Sequence, residues 1–164
     1  MKCHVLMVAI TFPSYHSRKN EYTNFPEQIC NGLKIHTIRE HFGVWQKKIM
    51  EVEEGKAYLS LRSWTGRPYH SRQHEWRMLT NKDGVGIQKL AFDELDGYLI
   101  DDVIYDVRFN PKAKSYVRFE SRLASNDGLC YHEFKEWFKS ANSPIAYEKE
   151  MAIIHFTPFR YSRR

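Results

Sequence analysis

The sequence has little of what would commit it to a secreted, membrane-bound or disordered class. Its 164 residues hold three cysteines, Cys3, Cys30 and Cys130, odd in number, widely spaced and never in a C-x-x-C pair. Neither a disulfide framework nor a zinc knuckle is indicated, and the pattern suits a reducing, cytoplasmic setting. Long hydrophobic runs are missing as well. The apolar stretch near the N-terminus covers only Val5 to Ile10 before Thr11 and Pro13, far short of the roughly 20 residues a membrane helix needs and without a small-residue cleavage site. It reads as a first buried strand, and no membrane partner is expected. With 8 glycines and 6 prolines there is no low-complexity tract, and no internal repeat or linker interrupts the chain. A Gly-rich phosphate loop, a G-x-S-x-G elbow and a paired His-Cys signature are also lacking, so no cofactor is expected.

What remains is aromatic and mildly basic. Hydrophobic residues make up 42% and aromatics 15% of the chain, enough to build a core in a single domain spanning 1–164. Lys and Arg total 25 against 20 Asp and Glu, a formal charge of +5. That excess leans towards polyanionic partners, but net charge does not say where the charges sit.

Patterning suggests an α+β chain. Ser14 to Glu21 reads as an exposed loop. Asn24, Pro26, Glu27 and Gly32 bracket a short helix over about Phe25 to Asn31. Lys34 to Arg39 alternates as a strand would, with Ile35, Thr37 and Arg39 on one side and Lys34, His36 and Ile38 on the other. Trp45, Ile49 and Val52 have helical spacing over 43–54, ahead of Gly55. Ala57–Trp64, Val85–Phe92, Gly97–Arg108 and Ser115–Arg122 read as strands of a barrel or curved sheet. A helix over Cys130–Lys139 and a strand over Met151–Phe156 precede the basic tail Arg160 to Arg164.

Two groups of residues carry chemistry. The segment Leu61–Arg77 reads as a hairpin holding Arg62, Arg67, Arg72 and Arg77 with Trp64, Tyr69 and Trp76, against one acid, Glu75. Guanidinium groups pair with phosphates and flat rings stack on unpaired bases, so this mixture suits single-stranded nucleic acid. A solvated basic face over core aromatics is the alternative. His70 and His74, with His36 elsewhere, raise a metal site, but H-S-R-Q-H lacks the metalloprotease glutamate and falls on a hairpin, so no metal is expected. Asp101-Asp102 reads as a strand-end charge pair. In the second group, Lys34 stands three residues before Thr37. A desolvated lysine beside a threonine hydroxyl can act as its base, with a carboxyl such as Asp127 delivering a proton to a leaving group.

The stretch Phe25-x-x-x-Ile29-x-x-Gly32-x-Lys34-x-x-Thr37-Ile38-Arg39, followed by Trp45, resembles the opening motif of the ASCH domain family, a branch of the PUA-like superfamily. Leu123 to Leu129, Phe134, Trp137-Phe138 and the strand Ile153 to Phe156 are similar to its longer bacterial and phage members. The resemblance implies a PUA-like small β-barrel flanked by helices, with a cleft for RNA or a modified nucleoside beneath the helix-to-strand turn. One branch is similar to amidohydrolases that deacetylate N4-acetylcytidine. Carried over, the base is Lys34, the nucleophile Thr37, and the acid falls at Asp127, where that branch has glutamate. Arg39 matches the motif arginine. Relative to that branch, this chain adds the helix near 43–54 and the Arg-rich hairpin near 61–77.

Two functions follow as expectations. One is an RNA or nucleotide-binding module, with Lys34, Arg39, Arg62, Arg67 and Arg72 lining a basic cleft and Trp64 and Tyr69 as stacking faces. The other is an amide hydrolase acting on an acylated nucleobase through Lys34, Thr37 and Asp127.

Overall fold

A computed structural model describes residues 1–92, 97–105, 115–139 and 149–162. It is an α+β fold with two sheets and four helices. The smaller sheet joins β1 (Lys2–Met7), β3 (Ala57–Trp64) and β4 (Gln73–Leu79), with β1 parallel and β4 antiparallel to the central β3. The larger is antiparallel throughout, in the order β2 (His36–Glu40), β8 (Met151–His155), β5 (Gly86–Phe92), β6 (Tyr98–Ile100), β7 (Val103–Tyr105). Among the described residues no strand pairing joins the two sheets into a closed barrel.

Helix α2 (Phe42–Glu53) links the sheets instead. It packs against β3 of one sheet and β5 and β8 of the other, burying Ile49 and Val52 completely between them. The centre of the core is β8, where all five residues are buried, because a strand covered on both faces needs continuous rather than alternating hydrophobicity. No helix among the described residues is long and apolar enough to cross a membrane.

Most expected elements appear within a few residues of their expected bounds. The first strand ends at Met7 rather than reaching Ile10. Helices form at α1 (Phe25–Cys30), α2 and α4 (Tyr131–Phe138). The strand expected over Ser115–Arg122 is instead the start of helix α3 (Ser115–Asn126). Buried Glu120, Leu123, Ala124 and Asp127 recur at the i, i+3, i+4, i+7 spacing of one helical face. The long strand expected over Gly97–Arg108 is cut into the β6–β7 hairpin, with its last three positions outside the described residues. Asp101 and Asp102 have φ of 50° and 65°, the left-handed pair that a two-residue primed turn requires. Asp101 accepts from the Lys89 backbone at 2.9 Å, and Asp102 pairs with the Lys89 ammonium at 3.0 Å, so the acidic pair is indeed a strand-end cluster.

The loop 14–21 is anchored rather than free. Tyr15 Oη donates to the Trp137 carbonyl at 2.8 Å, Ser17 donates to Glu136 from both N and Oγ, and Arg18 pairs with Glu133. His16 is buried and close to Phe12 and Trp137. These contacts strap the segment across α4 and fix Trp137 beside the site described below.

Gly128 ends α3 with φ of 84°. A Cβ there would lie 3.2 Å from Gln28 Oε1, Lys34 Cδ and Phe25 Cδ1. A side chain would meet both a left-handed backbone penalty of roughly 1–2 kcal/mol and crowding against the Lys34 stem. Gly128→Ala is therefore expected to lower the thermal midpoint by roughly 2–8 °C, measurable by calorimetry; an unchanged midpoint would contradict this packing.

Candidate functional site

The site is assembled where three chain segments meet. The link from α1 to β2 presents Lys34, β2 presents Thr37 and Arg39, and the end of α3 presents Asp127. Backbone hydrogen bonds hold these pieces together: Ile35 N donates to Asn126 O, and Phe156 N donates to Ile35 O, each at 2.9 Å. Lys34 lies before the first strand residue, so strand alternation does not govern it. It lines the same cavity as Thr37 and Arg39 rather than the opposite face.

Lys34 is 3% exposed and Asp127 also 3%. Lys34 Nζ donates to Asp127 Oδ1 at 3.0 Å and to the Asp127 carbonyl at 2.6 Å, and it sits 4.1 Å from the centre of the Phe25 ring. Burial pulls the lysine below its ordinary range, while the aspartate opposes that pull. Removing a lysine from water favours the neutral amine, the form that can accept a proton.

Thr37 is 6% exposed, and its hydroxyl has no hydrogen-bond partner among the described residues. Arg39 Nη2 donates to the Met7 carbonyl, and its buried Nε has no partner among the described residues. Among the described residues no carboxylate forms an ion pair with Arg39; burial pulls its guanidinium below the ordinary range, the Asp127 charge opposes that pull, and Arg39 lines the cavity.

Lys34, Thr37, Arg39 and Asp127 line one cavity of about 40 Å³, with Phe25 and Trp137 among its other walls. At roughly 10–15 Å³ per water centre this is room for about three waters or a group of a few heavy atoms. A broader hollow of about 310 Å³ shares Ile38, Arg39, Trp137 and Phe138 with it. The combination is a narrow polar recess beside an aromatic-walled antechamber.

Behind Asp127 lies a polar chain that sequence reasoning missed. His36 is wholly buried; its Nε2 lies 2.6 Å from Tyr161 Oη, and its Nδ1 is 3.5 Å from Asp127 Oδ1. Asn126 Nδ2 donates to the same tyrosine oxygen at 3.0 Å. In the tautomer whose Nε2 accepts the Tyr161 hydroxyl proton, the ring proton sits on Nδ1, which faces Asp127 beyond hydrogen-bond geometry. Gln88 fixes Tyr161 by accepting from its backbone N at 2.8 Å and donating to its carbonyl at 2.9 Å. Lys34 and His36 both approach Oδ1, and no partner engages Oδ2 among the described residues. The alternation of β2 places His36 on the side of Ile38 without saying which side is buried, and nothing local links it to Tyr161, 125 residues away.

The hairpin residues lie elsewhere. Arg62 is tied to Ser60 Oγ, Gln73 Oε1 and Cys3 Sγ at 2.8, 3.1 and 3.7 Å. Arg67 and Arg72 are exposed, Tyr69 is 86% exposed, and Trp64 packs against Tyr69 with ring centres 5.1 Å apart. None of these five lines the Lys34 cavity. His70 and His74 are on the same exposed hairpin, remote in role from buried His36, and no group of three or more metal-binding side chains is found among the described residues.

Comparison with known proteins gave no matching family model, no matching curated protein and no matching solved structure, so the chemistry of the site is argued from its own geometry.

The buried histidines give the site a pH signature. Burial lowers His36, and it pushes His155 down to about 2, with the nearby His36 and Arg160 adding to the shift. In the unfolded chain both titrate near 6.5, so below that pH the unfolded state binds more protons and stability falls as pH falls. Each histidine adds a slope of up to about 1.4 kcal/mol per pH unit. Urea unfolding is expected to show stability dropping steadily from pH 7 to pH 5; a flat profile would contradict two neutral buried imidazoles.

Proposed function

We propose that this chain is an ASCH-type, PUA-like protein whose Lys34 cavity hydrolyses the amide of an acylated nucleobase, of which N4-acetylcytidine is the simplest example. The observation that carries the reading is the convergence on one small cavity of a buried lysine, a buried carboxyl, a threonine hydroxyl without a hydrogen-bond partner and an arginine without an ion pair, both among the described residues. A site meant only to hold a polyanion has no need to bury its lysine against a carboxylate, since that removes the lysine from the phosphates it would bind.

In this reading the aromatic antechamber of about 310 Å³ holds the base between Trp137 and Phe138 on one side and Arg39 on the other. The acyl group enters the 40 Å³ recess, whose size suits the three heavy atoms of an acetyl group. The reacting state is the one in which the buried pair is neutral, with the shared proton on Asp127 and the lone pair on Lys34. Thr37 Oγ1 attacks the acyl carbon and its proton passes to Lys34. The developing oxyanion is stabilised by Arg39. Asp127 then protonates the exocyclic nitrogen, the C–N bond breaks, and the free base leaves behind an ester on Thr37. Water attacks that ester, giving its proton to the Asp127 carboxylate, while Lys34 returns a proton to Thr37 as the C–O bond breaks. The carboxylic acid departs and both groups regain their starting states. His36, held by Tyr161, orients the Asp127 carboxyl through Oδ1 and leaves Oδ2 for the substrate.

Incubation with N4-acetylcytidine, followed by chromatography, is expected to yield cytidine. Thr37→Val keeps the side-chain volume and removes the nucleophile, so turnover is expected to fall by at least roughly 100-fold, and Lys34→Met by a similar factor. No cytidine from the unaltered protein, or undiminished turnover by Thr37→Val, would overturn the assignment.

A further inference from the structure

The Arg-rich hairpin is left unused by the cavity chemistry, yet it is built as a surface. Its loop is closed by its own hydrogen bonds: Thr65 donates from N and Oγ1 to the Arg72 carbonyl at 2.9 and 2.8 Å, and Gly66 N donates to Ser71 Oγ at 3.0 Å. Ser71 Oγ in turn donates to the Arg67 carbonyl at 2.8 Å. This closure carries Tyr69 at the tip with φ of 64°, a left-handed conformation uncommon outside glycine and unfavourable for a bulky residue. The backbone thus holds an 86% exposed aromatic ring outward against Trp64. Core packing does not explain such a ring.

The charges around it are free. Arg67 and Arg72 are exposed and pair with no carboxylate among the described residues, and the one acid of the segment, Glu75, accepts a hydrogen bond from Ser60. Two flat rings with two unpaired guanidinium groups beside them complement unstacked bases and phosphates.

The platform also stands at the cavity's end of the sheet. Strands β1 and β3 are parallel with Met7 opposite Arg62, so both continue out of the same edge. From there β1 leads into Val8 and Ala9, which line the Lys34 cavity, and β3 leads into Trp64 and the loop. Val8 N donates to the Arg62 carbonyl at 2.6 Å, and Arg39 donates to the Met7 carbonyl. Trp64 follows Arg62 by two residues, about 7 Å of strand.

We propose that the β3–β4 hairpin is a docking platform for single-stranded nucleic acid, and that the base treated in the cavity arrives within a strand rather than as a free nucleoside. The second half rests on the hydrolase reading; the first does not. Bases stack on Tyr69 and Trp64, Arg67 and Arg72 hold the flanking phosphates, and a neighbouring base reaches the antechamber.

The test uses fluorescently labelled 12-mers of RNA and DNA, each with one N4-acetylated cytosine, and free N4-acetylcytidine. Anisotropy titrations at several salt concentrations are expected to show binding to the 12-mers. Tyr69→Asn removes the ring but retains a residue that tolerates the left-handed backbone, and should weaken that binding roughly 5- to 150-fold, whereas Tyr69→Trp should not. Arg67→Ala combined with Arg72→Ala should flatten the slope of log affinity against log salt by about 1.4. Comparing the RNA and DNA arms shows which polymer is preferred. Turnover, followed separately, should give a higher kcat/KM for the preferred 12-mer than for the free nucleoside, with Tyr69→Asn raising KM for the 12-mer. Absence of 12-mer binding, binding insensitive to salt, or binding unaltered by Tyr69→Asn overturns the platform. Equal kcat/KM for strand and nucleoside overturns strand delivery. If neither substrate is turned over while binding behaves as stated, the hydrolase reading and strand delivery both fall, and the platform stands.

Discussion

The contact between Lys34 and Asp127 is the constraint around which this molecule is arranged. A lysine ammonium removed from water is costly unless its donors are satisfied. Here two acceptors come from a single residue, the carboxyl and carbonyl oxygens of Asp127, and the Phe25 ring faces the amine from α1. The contact spans 93 positions of sequence and can form only if the end of α3 is brought against the turn between α1 and β2. Both Gly128, whose left-handed backbone ends the helix at that point, and the Ile35–Asn126 hydrogen bond serve that placement. Removing one partner would leave the other buried and uncompensated, which typically costs about 3–5 kcal/mol.

The same contact makes the site chemically unusual. In water a lysine and an aspartate would share nothing but a weak attraction between charges. Beside a cavity of about 40 Å³ with Phe25 and Trp137 in its walls, burial disfavours the lysine's charge while the aspartate opposes that pull. In the proposed hydrolase, proton transfer within the pair supplies a base and an acid a hydrogen bond apart. Arg39, held by the Met7 carbonyl and lacking a carboxylate partner among the described residues, supplies the fixed positive charge that such a neutral pair gives up. The Asn126–Tyr161–His36 chain approaches the oxygen that Lys34 uses, which limits rotation of the carboxyl and fixes its orientation.

Much of this was legible in the sequence where the information is local. Helices α1, α2 and α4 are announced by spacing and by residues such as Pro26, Gly55 and Phe134, and β3 and β5 by their β-branched and aromatic content. The Lys34, Thr37 and Asp127 set was named from residue types and resemblance, and the three do line one cavity. What was not legible depends on distant partners. Helix α3 reads as a strand because its aromatic and β-branched start, Tyr116, Val117 and Phe119, imitates strand composition, while the face it buries mixes apolar Leu123 and Ala124 with polar Glu120 and Asp127, which blurs the helical hydrophobic pattern. The loop over 14–21 is polar, and only its contacts with α4 show it to be anchored. A single basic cleft shared by Lys34 and all the hairpin arginines is plausible by composition, but Arg62 is spent on Ser60, Gln73 and Cys3, Arg67 and Arg72 are exposed on the hairpin, and only Arg77, which donates to the Ile29 carbonyl at 3.2 Å, shares a second hollow with Lys34.

The proposed chemistry requires that Lys34 lose its proton inside the fold. Nitrogen-15 NMR of the lysine Nζ groups, with Lys34 assigned by comparison with Lys34→Met, follows that proton directly as pH is raised. Lys34 is expected to become a neutral amine below the ordinary lysine value near 10.4, in the direction burial dictates. A Lys34 signal that stays that of an ammonium up to or beyond that value would contradict it, because the cavity would then hold a fixed ion pair and no base.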